Sequence, residues 1–132
     1  MRKTLILVVL LALGGGSGCV SRVPWPTRAE IDALEYGPEP TAAEIETAAR
    51  RVMLGRLYDP ASAQFQFGKP VKVFTRWRRD GRMRGGWKVE GAMNAKNLFG
   101  AYTGFRRVAF IIRDGVVEQE AGSAPGHWVD VK

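Results

Sequence analysis

Cysteine is almost missing from this chain. Of its 132 residues only Cys19 carries a thiol, so no intramolecular disulfide can form and the core alone must hold the fold. Histidine is equally scarce: His127 stands alone in a Gly/Pro-rich stretch beside Trp128, where an exposed or edge-packed role fits better than that of a catalytic base. A hydrolytic triad needs a nucleophile, a base and an orienting group, and no such set is present. A zinc site needs three or four clustered Cys, His or carboxylate ligands, also lacking. Neither GxxxxGK[ST] nor GxGxxG occurs, so no phosphate-cradling loop is announced. The longest apolar run falls short of the ~20 residues a bilayer-spanning helix requires. These absences point to no catalytic residue, no metal and no cofactor.

Basic charge is plentiful, at +7 formally with a pI near 10.1. Such a balance suits nucleic acid, anionic lipid or another polyanion, and the compartment decides among them. Arg2 and Lys3 precede the apolar run Leu5–Leu13, then come small residues from Gly14 to Gly18, then Cys19. That order reads as an export signal over residues 1–18. It resembles the bacterial lipoprotein signal, in which the cysteine is acylated and becomes the mature N-terminus. Ser17 and Gly18 match the small positions, while Gly16 stands where Leu is preferred. The alternative is an ordinary cleaved signal releasing a soluble periplasmic protein with a free Cys19. Losing Arg2 and Lys3 lowers the formal charge from +7 to +5.

Residues 19–40 carry Pro24, Pro26, Pro38 and Pro40 around a short helical possibility, Thr27–Tyr36, with Thr27 and Glu30 at capping-box spacing. This segment is expected to act as a lipid-anchored spacer, the other reading being a strap packed on the domain. Residues 41–120 form the domain. Thr41 and Glu44 repeat the capping box, and Ile45, Ala48, Ala49, Val52, Met53 and Leu57 share one face, predicting a helix over 41–57 with Arg50, Arg51 and Arg56 on its solvated side. Then the period shortens to two. Phe65 and Phe67, Val71 to Trp77, the stretch from Trp87, and Arg106–Arg113 read as strands, and Asp114-Gly115 turns the chain into Val116–Glu120. Residues 121–132 read as an irregular tail. The expected fold class is α+β, an N-terminal helix packed on a four- to five-stranded antiparallel sheet.

Two blocks stand out: Asp59-Pro60-x-Ser62-Ala63-x-Phe65, and Gly91-x-x-Asn94-Ala95-Lys96-Asn97-x-Phe99-Gly100-x-Tyr102-x-Gly104-Phe105. They resemble a family of small exported bacterial proteins whose shared pattern runs DPxSAxF, then CGxVNAKNxFGGYxGxxxF. Glu90 replaces the common Cys, Met93 the Val and Ala101 the Gly. The resemblance implies a shared fold unit and brings no activity with it.

Two candidate sites follow. In the loop after the strand, Asn94, Lys96, Asn97 and Tyr102 offer amide, ammonium and hydroxyl groups suited to a phosphate or a sugar. Against that, asparagines cap turns, Phe99 and Tyr102 would plug the sheet's edge, and Gly100 and Gly104 permit bends with positive φ. The second site is a basic hairpin of Arg76, Arg78, Arg79, Arg82, Arg84 and Lys88, flanked by Trp77 and Trp87. Arginines interleaved with aromatics are a nucleic-acid footprint, but export leaves anionic lipid, lipopolysaccharide or an acidic envelope protein as partners; equally, charge keeps an edge hairpin soluble. The function expected is that of a non-catalytic lipoprotein held in the outer membrane through Cys19, its domain a binding or structural module facing the periplasm. Val20 lacks the acidic residue associated with inner-membrane retention. The alternative is a soluble periplasmic binder or inhibitor that meets an acidic protein or polyanion through the basic hairpin.

Overall fold

The structure is a computed structural model and describes residues 24–76, 81–120 and 127–132. The signal segment, Cys19, and Trp77, Arg78 and Arg79 of the basic hairpin therefore lie outside the described residues. Two helices, α1 (Arg28–Asp32) and α2 (Ala42–Met53), precede six strands: β1 (Gln64–Phe67), β2 (Val71–Arg76), β3 (Met83–Asn94), β4 (Arg106–Arg113), β5 (Val116–Glu120) and β6 (Trp128–Asp130). All pairings are antiparallel, in the order β5-β4-β3-β2-β6, with β1 also on β3. The class is α+β, as the periodicities indicate.

β3 is the axis of the sheet. Its first half pairs with β2 and its second half with β1, Gln64 opposite Asn94 and Val71 opposite Lys88. β1 and β2 thus line the same side of β3, separated by Gly68-Lys69-Pro70, where the Gly68 N–H still donates to the Glu90 carbonyl at 2.9 Å. Along the other side runs β4, with Val89 opposite Phe110.

α2 begins as its capping box dictates, Thr41 Oγ1 accepting from the Glu44 N–H while Glu44 Oε2 accepts from the Thr41 N–H at 2.8 Å. These bonds to Thr41 hold the Glu44 carboxyl below its ordinary pKa. The helix lays Ile45, Ala48, Ala49 and Met53 on Val89, Met93, Phe110 and Ile112, and Phe65, Phe67, Val108 and Val117 close the rim. Arg50, expected on the solvated side, joins helix to sheet instead: its guanidinium donates to Ala63 O at 2.9 Å and lies 5.2 Å from the Phe65 ring centre.

Three expectations need correction. α2 is not the first element; the described part of the segment read as a spacer, residues 24–40, folds onto the sheet as a strap. Trp25 packs edge-on against Phe74, Tyr36 is buried, and the Trp87 indole donates to Gly37 O at 3.2 Å. Tyr36 fits because Gly85 lies beneath it; a Cβ at Gly85 would sit 2.8 Å from the ring. By strand alternation Phe74, Gly85 and Trp87 share a face with Val89 and Phe110, so strap and α2 cover the same side of the sheet. Second, the tail is not irregular throughout: β6 pairs with β2, Val129 opposite Phe74. Third, the sheet has six strands. On its opposite face Val73, Thr75 and Ile111 are buried, with the Trp128 ring 3.6 Å from where a Gly86 Cβ would stand.

Candidate functional site

The β3–β4 loop brings together the polar residues singled out in the sequence, and the amide oxygens of Asn94 and Asn97 go into the loop itself. Asn94, nearly buried, accepts through Oδ1 from the Gly104 N–H at 3.1 Å. Asn97 Oδ1 accepts from the N–H groups of Phe99 at 2.9 Å and Ala101 at 3.1 Å. The Asn97 N–H donates to Ala101 O at 2.9 Å, and the Gly100 N–H to Asn97 O at 3.0 Å. Closing a chain this sharply requires left-handed backbone, and Gly100 and Gly104 supply it with φ of 75° and 99°. Lys96 and Tyr102 form a β-bridge, and the Lys96 ammonium lies 5.6 Å from the Tyr102 ring centre.

The two sequence blocks meet here. A 3₁₀ turn, Pro60–Ser62, is capped by Asp59, whose Oδ1 accepts from the Ser62 N–H at 3.2 Å. Ser62 Oγ donates to Asp59 O at 2.8 Å and accepts from the Lys96 N–H at 2.9 Å, while Tyr102 OH donates to Ser62 O at 3.2 Å. The Asp59–Ser62 turn is therefore the bracket on which the loop is mounted. Sequence reasoning assigned no role to Ser62; its place in the DPxSA block was the only signal.

Phe99 does not plug the sheet's edge. It is 84% exposed, Leu98 beside it 60%, and Tyr102 44%. Tyr58 just after α2 and Phe105 at the loop's base are exposed as well. A shallow cleft of about 180 Å³ separates the loop from the end of α2, between Arg56, Leu57 and Tyr58 on one side and Ala95, Lys96, Asn97 and Thr103 on the other.

The basic hairpin is less of a unit than its sequence suggests. Arg76 pairs with Met83 on the strap side of the sheet, whereas Arg84 and Lys88 project from the opposite side, as the register requires. Lys88 reaches Asp130 at 2.6 Å and Glu90 at 3.3 Å, and Arg84 reaches Glu118 at 3.8 Å. The hydrogen bond to Asp130 is the main influence raising the Lys88 pKa. Trp87 is buried under the strap, with Lys72 over its ring at 5.5 Å, and so is no open stacking platform. His127 is exposed.

Among the described residues no group of three or more His, Cys, Asp or Glu could hold a metal ion, and no helix is long and apolar enough to cross a membrane. A scan against family models and comparisons with curated proteins and solved structures find no match.

Proposed function

We propose that this chain is a non-catalytic lipoprotein of the cell envelope, anchored through an acylated Cys19 in the outer membrane and presenting its α+β domain to the periplasm as a binding module. The observation that carries the non-catalytic, partner-binding reading is the loop's internal economy. Asn94 and Asn97, the side chains best suited to a polar ligand, spend their amide oxygens on the loop's own N–H groups, while Leu98 and Phe99 face solvent. A loop built in this way displays side chains. The anchor reading rests on the order of charged, apolar and small residues before Cys19.

The domain's geometry suits such an anchor. The strap reaches the sheet at Phe74, opposite Gly85, and the loop leaves β3 at Asn94. Nine residues of strand, roughly 30 Å, separate the two levels. Cys19 lies five residues before Pro24, a reach of at most about 18 Å. A domain held so would keep its strap end toward the bilayer and its loop away from it.

Intact mass and membrane fractionation of the full chain, beside Cys19→Ser, test the anchor. A mature form starting at Cys19 with added acyl chains, lost in the variant, is the expected result. An unmodified, freely soluble mature form would refute it.

A further inference from the structure

The loop tip carries more than exposure. Leu98 and Phe99 sit on a turn fixed by two bonds to Asn97 Oδ1, and the loop is bracketed below by Ser62 and Asn94. Large apolar side chains held out on a preformed turn lose little conformational freedom when they enter a shaped pocket, which is where preorganisation strengthens binding. A fluid bilayer draws no comparable benefit from a fixed tip.

Charge is equally one-sided. From Gly91 to Ile112 the charged residues are Lys96 in the loop and Arg106 and Arg107 at its base, with no carboxylate. Arg106 and Arg107 stand exposed at the loop's base, one on each face of the sheet, opposite Met93 and Ala92. Of the carboxylates close by, Asp59 accepts from the Ser62 N–H and keeps its charge, and Glu120 is paired with Arg56. Aromatic and arginine side chains around a small apolar centre are the composition of a binding hot spot.

We infer that the β3–β4 loop is a protein-docking anchor, with Phe99 and Leu98 entering an apolar pocket rimmed by carboxylates on an envelope protein. The inference rests on reading the domain as a binding module and is independent of the lipid anchor.

The test places photo-reactive benzoylphenylalanine at position 99, and in a control at Val116, which is also exposed, in the full chain inside its native cells. A single protein adduct is expected from position 99 and none from 116, the cross-linked peptide being apolar and flanked by Asp or Glu. With that protein purified, Phe99→Ser should weaken binding about thirtyfold, and Arg106→Glu with Arg107→Glu should weaken it and flatten its salt dependence. Thermal unfolding of Phe99→Ser should match the parent, separating lost binding from lost fold. The Cys19→Ser chain, exported, should give the same adduct, so failure of acylation and failure of docking are distinguishable. The inference is overturned by adducts only with lipid, by adducts with a second copy of this chain, by equal labelling from 116, or by affinity indifferent to Phe99→Ser. Phe99-dependent binding to vesicles of 3:1 phosphatidylethanolamine and phosphatidylglycerol, with no protein adduct, would likewise overturn it, in favour of a bilayer.

Discussion

Where β3 passes Gly85, aromatic side chains are drawn inward: Tyr36 settles on the glycine and Trp87 donates to the strap, while Trp25 touches Phe74 from an exposed position. Where β3 ends at Asn94 the arrangement reverses, with polar side chains turned into the frame and Leu98 and Phe99 turned out. Aromatic content alone does not tell the two ends apart. The difference lies in what neighbours each ring. Gly85 and Phe74 offer a seat that the strap can cover, whereas the 3₁₀ turn reaches the loop only through Ser62's hydrogen bonds to Lys96 and Tyr102 and leaves its tip bare. One end is built for burial and the other for display.

The contrast breaks most readily at the buried end. Trp87→Ala removes a ring with 8% exposure and leaves the strap without its indole bond. We expect a loss of about 3–5 kcal/mol in denaturant unfolding, and a loss below 1 kcal/mol would mean that the strap is loosely held. At the display end Gly104→Val should cost about 1–3 kcal/mol. A Cβ there meets nothing within 4 Å, so the positive φ is the sole source of strain. An unchanged melting temperature would remove this account of the loop.

A smaller effect should come from the Lys88–Asp130 pair, which pins β6 to the sheet. The Lys88 pKa is raised, chiefly by its bond to Asp130, so the pair's contribution is complete below the ordinary lysine range and is lost as pH rises through the folded-state value. Asp130→Asn should cost about 0.5–1 kcal/mol at neutral pH, and stability should then fall less steeply in alkali. An identical alkaline limb in parent and variant would contradict this assignment.

Much of the frame was legible because it is local. Thr41 and Glu44 mark the start of α2, two-residue alternation marks β4, and Asp114-Gly115 marks the β4–β5 turn. The positive φ at Gly100 and Gly104 was also readable from composition. The strap was not, because Trp25 and Tyr36 are isolated apolar residues among prolines and their seats lie some fifty residues further along the chain. The alternation starts β3 at Trp87 rather than Met83, because Gly85-Gly86 silences the strand signal just where Tyr36 and Trp128 approach closest. Nothing in the sequence marks β6, since three residues after a Gly/Pro stretch carry no period. At the candidate site, sequence supplied the residue types but not their direction: it placed Phe99 inward, and only the Ser62 bracket shows how the loop stands without it.

The claim that the loop's polar residues build it while its apolar tip is there for display is tested most directly by comparing two variants in one unfolding experiment, Asn97→Ala and Phe99→Ser. Losing the Asn97 amide removes the acceptor of two exposed backbone N–H groups and should cost about 0.5–1.5 kcal/mol. Phe99→Ser, at an exposed position, should stay within about 0.5 kcal/mol of the parent. A neutral Asn97→Ala beside a destabilised Phe99→Ser would reverse the roles and contradict the account.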